Sequence, residues 1–120
     1  MLNSKFKGVE ETISTITLLS YIENDLFVVY APTLDLFGYG HSELEATQSF
    51  EIVLKEYLDH VKLKNSMWKD LKKLGWKISK NKISQPELSN LLLQNETLRE
   101  VVNHKVFKKS NYNFSIQDYK

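Results

Sequence analysis

The sequence predicts an α+β protein, because strand signals gather in its first third and helix signals follow them. Short apolar runs rich in β-branched residues come first, and a long stretch with helical spacing comes next. At 120 residues the chain has the length of one compact domain. The main change of pattern falls near Ile83. We therefore predict an α+β unit over residues 1–83 and a helical extension over residues 84–120, packed on that unit or at a dimer interface.

Three strands are predicted in the first third of the chain. Thr12–Ile22 is rich in β-branched residues, and Leu26–Ala31 is an apolar run too short for a helix. The short connection between them predicts an antiparallel hairpin. Pro32 lacks an N–H and should interrupt the ladder, after which TLDLFGY resumes as a third strand over Thr33–Tyr39. Alternation then places Asp35 on the solvent face.

The strongest local signal is an amphipathic helix that begins at Ser42. Ser42 and Glu45 have the S-x-x-E spacing of a capping box, in which each side chain satisfies a backbone N–H at the helix start. Apolar residues then recur at helical spacing over residues 46–61. Gly38 and Gly40, just before the helix, would permit a close approach or a positive φ. This pattern predicts one main helix that lies on the sheet.

The remaining elements complete a β-β-β-α-α-β order up to Ile83. A second helix is predicted over Ser66–Leu74. Trp76–Ser84 alternates apolar and basic residues, which predicts a fourth strand at an edge of the sheet. Pro86, two residues after this segment, favours a new helix start, followed by one helix or by two that split near Gln94. The tail from Lys105 is polar and tyrosine-rich, and it fits either a strand or a loosely ordered segment.

Charge is unevenly distributed along the chain. The first 60 residues carry three lysines against ten acids, a net charge of −7, whereas the other 60 residues carry +8. An acidic half attracts cationic macromolecules and raises their rate of association. The chain has no cysteine, which excludes disulfides, thiolate metal sites and a cysteine nucleophile. No apolar run approaches the roughly 18–20 residues that cross a bilayer, so a cytoplasmic location is expected.

The residues that usually carry catalysis are not grouped in the sequence. His41, His60 and His104 lie far apart and show no zinc-binding spacing. The GYG segment lacks the spacing and the lysine of a phosphate loop. Asp35 is the candidate for a base or a metal ligand, but it has no obvious carboxylate partner, and a polar surface position explains it more simply. We therefore predict no enzymatic activity, no catalytic residue, no metal and no cofactor.

Residues 62–82 form a lysine-rich region in which Asp70 is the one acid. Attraction to phosphates makes DNA an alternative partner for this region. Trp76 begins an apolar strand pattern, however, which favours burial over base stacking. The terminal helices lack the small residue of a helix-turn-helix turn and offer Arg99 as their cation. The sequence favours DNA binding less than protein binding. The candidate nucleic-acid residues are Lys69, Lys72, Lys73 and Lys80.

The junction between the third strand and the main helix resembles the HicB family of antitoxins and HicB-like proteins. The resemblance includes the preceding hairpin and the following helix, and it covers about residues 12–82. Eight residues carry it, namely Pro32, Leu34, Asp35, Gly38, Gly40, Ser42, Glu45 and Ala46.

The resemblance implies a partial RNase H-like fold without nuclease activity. It also implies an antitoxin of a type II toxin-antitoxin system, which binds and neutralises a small basic mRNA interferase, a toxin of the HicA type. Many members repress their own promoter through a C-terminal DNA-binding domain, but this chain departs from that pattern beyond Ile83. A DNA-binding repressor, a HicB-like protein without a toxin and a vestigial metal-dependent nuclease that uses Asp35 are the alternatives.

The acidic residues and the tyrosine around this junction are the predicted contacts with the toxin. They are Asp35, Tyr39, Glu43 and Glu45. The leucine-rich extension has little basic charge, so we expect it to pack back on the core or to form a homo-oligomer. The residues expected to do so are Leu91, Leu92, Val101 and Val102.

Overall fold

The computed structural model describes residues 12–79 and 82–116. The elements are β1 (Thr12–Glu23), β2 (Leu26–Ala31), β3 (Leu36–Gly40), α1 (Glu43–Leu63), α2 (Met67–Lys73), β4 (Lys77–Ser79), β5 (Lys82–Ser84), α3 (Leu88–Leu91), α4 (Glu96–His104) and β6 (Lys108–Ile116). The fold class is α+β, as predicted. Four strands form an antiparallel sheet in the order β3-β2-β1-β6, while β4 and β5 form a small second sheet.

The predicted hairpin is confirmed, with a tighter turn than expected. Strand β1 continues to Glu23, which pairs with Leu26, so the loop contains just Asn24 and Asp25. Both loop residues have positive φ, 54° and 66°. A two-residue loop of this kind matches the right-handed twist of the flanking strands, and Asn and Asp tolerate the left-handed region.

Strand β3 starts later than predicted, at Leu36 instead of Thr33. Pro32 ends β2 because it has no N–H to donate, and the next residues form a turn in which the Leu34 N–H donates to the Ala31 carbonyl at 3.2 Å. Asp35 has a φ of 57° and therefore cannot belong to a strand. The prediction that Asp35 alternates within β3 is wrong, although its side chain is exposed.

Helix α1 begins at Ser42 as predicted, with one difference in the capping box. The Ser42 Oγ accepts from the Glu45 N–H at 3.1 Å, but the Glu45 carboxylate accepts from the His41 N–H at 2.8 Å. The helix lies directly against β3. A Cβ on Gly38 would lie 2.4 Å from the Ala46 carbonyl oxygen, so this close approach needs glycine.

Both faces of the main sheet are covered. Alternate residues of β1 point to opposite faces, so Leu18 packs under α1 while Leu19 packs under α3 and α4. The α1 face also holds Trp76, which is 4% exposed, and its indole N–H donates to the Thr33 carbonyl at 2.8 Å. The opposite face is a separate core cluster made by Leu19, Tyr21, Val28, Tyr30, Leu98 and Val101.

The fourth strand of the main sheet is β6, not the predicted strand over Trp76–Ser84. The latter segment contains the hairpin of β4 and β5, while its residues 80 and 81 lie outside the described part of the chain. Strand β1 has β2 on one edge and β6 on the other. The pairing with β6 runs from Thr12 opposite Ile116 to Ser20 opposite Lys108. The segment from Lys105, for which the sequence allowed either a strand or a loosely ordered segment, therefore contains an edge strand.

The C-terminal segment holds two short helices and this strand. Leu91, Leu92 and Val101 pack on the sheet face, whereas Val102 is 37% exposed. Gln85, ahead of α3, is hydrogen-bonded to Thr17 of β1. Its side-chain oxygen accepts from the Thr17 N–H at 3.1 Å, and its side-chain nitrogen donates to the Thr17 hydroxyl at 3.1 Å. Residues 84–116 thus contribute to the same sheet as residues 12–40.

Candidate functional site

One end of the main sheet gathers acidic, aromatic and apolar side chains. It contains the β1–β2 turn, the last residues of β3 and the first turn of α1, because Phe27 of β2 pairs with Gly40 of β3 close to that turn. We call this surface the acidic end. It is defined by Glu23, Asp25, Tyr39, Glu43 and Glu45, all of which are exposed. Two exposed apolar side chains lie at the same end, Ile22 (57% exposed) and Leu44 (67% exposed).

Tyr39 is held in place by a row of aromatic rings. The Tyr30 and Phe37 rings stack with centroids 4.3 Å apart, and the Tyr39 ring lies nearly parallel to Phe37 at 6.1 Å. Tyr30 is fully buried, whereas Tyr39 is 52% exposed. The row therefore presents a rigid aromatic side chain to solvent, which is a frequent feature of protein-binding surfaces.

The two predicted glutamates have structural contacts as well. The Glu43 carboxylate lies 2.7 Å from the Lys108 ammonium group, an ion pair that joins α1 to β6. The Glu45 carboxylate accepts from the His41 N–H. The Lys108 ion pair offsets the charge of Glu43, whereas Glu45 keeps its negative charge and has one oxygen already hydrogen-bonded.

Asp35 lies away from the other predicted contacts. It precedes β3, whereas Glu43 and Glu45 follow it, and the five residues of β3 span about 17 Å. The Tyr30 hydroxyl donates to the Asp35 carboxylate at 3.1 Å and accepts from the Asn95 amide at 2.9 Å. Of the four predicted toxin contacts, Tyr39, Glu43 and Glu45 share the acidic end, and Asp35 lies apart from them.

The contacts of Asp35 give this residue a structural role. Asn95 also caps α4, because its side-chain oxygen accepts from the Leu98 N–H at 2.9 Å. Burial raises the pKa of Tyr30 well above its usual range, so its hydroxyl keeps the proton that it donates. Tyr30, Asp35 and Asn95 thus tie the turn after β2 to the start of α4.

The backbone conformation of Asp35 gives a testable prediction. We expect Asp35→Asn to change the free energy of unfolding by less than about 0.5 kcal/mol, since asparagine also tolerates a positive φ and keeps an acceptor for Tyr30. Asp35→Ala should destabilise the protein by about 1–2 kcal/mol, because alanine does neither. Urea denaturation of both variants measures this difference. A large loss in Asp35→Asn would mean that the negative charge itself is required.

The described residues contain no group of three or more histidine, aspartate or glutamate side chains that could hold a metal ion. Asp35 has the Tyr30 hydroxyl, and not another acid, as its side-chain partner. None of the described helices is long and apolar enough to cross a membrane.

The candidate nucleic-acid residues lie away from the acidic end, whereas Lys108 and Lys109 of β6 lie close to it. Lys69, Lys72 and Lys73 are exposed on α2, and Lys80 lies outside the described residues. The α2 segment is next to Trp76, whose bond to Thr33 places it near the opposite end of the sheet. Trp76 is buried, as the sequence predicts, so its ring cannot stack on a base.

Sequence reasoning missed Glu23 and Tyr21 at the acidic end. Tyr21 is 6% exposed and Glu23 is exposed next to the turn. The alternation Leu19, Tyr21, Glu23 places both residues on the same face of β1, but the sequence does not reveal that strand pairing brings this face next to Tyr39.

Comparison of the chain with models of protein families, with characterised proteins and with solved structures gives no match. Its function must therefore be inferred from the residues and their arrangement.

Proposed function

We propose that the protein is an antitoxin of the HicB type that binds and neutralises a small basic RNA-cleaving protein, a toxin of the HicA type. The hairpin, β3 and α1 then correspond to the partial RNase H-like unit of that family. The observation that carries this proposal is the acidic end, where exposed carboxylates surround the rigid ring of Tyr39 and the exposed side chains of Ile22 and Leu44.

The composition of this surface suits a protein partner. Stable interfaces combine a few apolar or aromatic anchors with a polar rim, and Tyr39 and Leu44 are anchors of that kind. Val106 (97% exposed) and Phe107 (36% exposed) precede β6, whose first residue is paired to Glu43. They extend the apolar part of the surface next to the acidic end.

Electrostatics supports a basic partner. The residues before position 61 carry a net charge of −7, and the lysines of α2 lie towards the other end of the sheet. At the acidic end the carboxylates of Glu23, Asp25, Glu43 and Glu45 outnumber the nearby ammonium groups of Lys108 and Lys109, so this end attracts a cationic protein. This effect raises the rate of association more than the final affinity and weakens as salt is added.

The test begins with purification of the tagged full chain from its native host and identification of a small basic RNA-cleaving protein bound to it. Affinity is then measured with that purified protein. Leu44→Lys should weaken binding at least tenfold, about 1.4 kcal/mol, because it places a like charge at an apolar contact. Leu93→Lys is the matched control, since Leu93 is 83% exposed and lies outside the acidic end.

Leu93→Lys should keep its affinity within about twofold, as expected of a surface residue outside the interface. Equal losses in both variants would show that general charge repulsion, and not the acidic end, controls binding. Repeated purification without any small basic partner would contradict the proposal itself.

A further inference from the structure

Tyr21, Glu23 and Tyr39 form a cluster on the α3/α4 face of the sheet, at the acidic end. In the strand register Tyr21 pairs with Val28, and Val28 pairs with Tyr39. Neighbouring strands lie about 4.8 Å apart, so the two tyrosines flank one valine on the same face. Glu23 is two residues beyond Tyr21 on the same strand and therefore extends this face towards the turn.

The three groups are close enough to influence one another. Burial raises the pKa of Tyr21 to about 12, and the nearby Glu23 carboxylate and Tyr39 contribute to the same shift. Tyr21 thus keeps its hydroxyl proton at neutral pH. Glu23 makes no ion pair with any other residue of the described chain, in contrast to Glu43. The cluster therefore combines the negative charge of Glu23, the exposed ring of Tyr39 and the neutral hydroxyl group of Tyr21.

This combination suits an arginine side chain better than a lysine side chain. A guanidinium group is planar and weakly hydrated, so it can lie on an aromatic ring while its N–H groups donate to a carboxylate. Phe37 fixes the orientation of the Tyr39 ring, whose side chain is still half exposed. A fixed ring loses little conformational entropy when a ligand lies on it.

We propose that Tyr21, Glu23 and Tyr39 form a binding site for an arginine side chain of the basic partner. The guanidinium lies on the Tyr39 ring and donates to the Glu23 carboxylate, and the Tyr21 hydroxyl borders the site. This inference rests on the proposed function, because it assigns the part of the toxin that the acidic end binds.

The experiment needs no toxin, so its failure is distinguishable from failure of the proposed function. The ¹⁵N-labelled full chain is titrated with N-acetyl-arginine amide and, separately, with N-acetyl-lysine amide, and backbone amide shifts are followed by NMR. We expect saturable shifts in the millimolar range that are concentrated at residues 21–23 and 39. The lysine probe should give shifts at least threefold smaller at the same concentration.

Two variants and one control test the residues. Glu23→Gln and Tyr39→Leu should each reduce the arginine-induced shifts at least fivefold, while Glu56→Gln, which removes another exposed acid from α1, should leave them unchanged. Retained dispersion of the spectrum shows that each variant is folded. Shifts that spread evenly over all acidic residues, that persist in Glu23→Gln, or that are equal for both probes would overturn the proposal.

Discussion

Replacing Gly38 with alanine is expected to destabilise the protein by about 3 kcal/mol, because the new Cβ has no room. It would lie 2.4 Å from both the Ala46 carbonyl oxygen and the Phe50 backbone nitrogen. Both atoms belong to the backbone of α1, which cannot move aside as a side chain could. The helix would have to lift from β3 and expose the Phe50 ring, which is fully buried. Urea denaturation measures the loss.

Gly75→Ala is the matched control for this prediction. Gly75 has a φ of 95°, so alanine there is strained, but its Cβ would meet Pro86 at an ordinary 3.4 Å. The expected loss is about 1–2 kcal/mol, the conformational part alone. If Gly38→Ala proved no worse than Gly75→Ala, α1 could not lie against β3 as described.

Leu98→Ala is expected to lower the free energy of unfolding by about 3 kcal/mol. Leu98 is fully buried between α4 and the sheet face that carries Leu19 and Val28. The cavity left by its removal borders strands in the middle of the sheet, which cannot close in on it without losing their pairing. The loss should therefore appear in one cooperative unfolding transition, followed by both circular dichroism and tryptophan fluorescence.

Leu93→Ala serves as the control, since the same atoms are removed from a side chain that is 83% exposed. A change below about 0.5 kcal/mol is expected. Two separate transitions in Leu98→Ala, with the β1–β2–β3 part retaining its stability, would contradict a shared core and favour the predicted boundary near residue 83.

The elements that the sequence predicted best have strong local patterns. The hairpin and α1 are specified by β-branched runs, turn residues and a capping serine, all within a few positions of each other. Strand β6 has no such pattern, since LysLysSerAsnTyrAsn offers few apolar side chains. It is a strand because β1 has a free edge, and this edge lies about a hundred residues earlier in the chain.

The candidate site was predictable only in part for the same reason. Tyr39, Glu43 and Glu45 lie near each other in sequence and also in the fold. Asp35 seemed to belong with them, but a single residue of positive φ before β3 places it at the other end of that strand. Glu23 joins Tyr39 through the pairing of three strands, which residue spacing alone does not reveal.

The pairing of β6 with β1 affects how the protein can be made. On the ribosome, β1 emerges early, and its partner at Lys108–Ile116 emerges some ninety residues later. In the meantime one edge of β1 has open hydrogen-bonding groups, a template for pairing with other nascent chains. Strand β6 thus protects an edge of β1, and chains that stop before residue 108 should be the ones that aggregate.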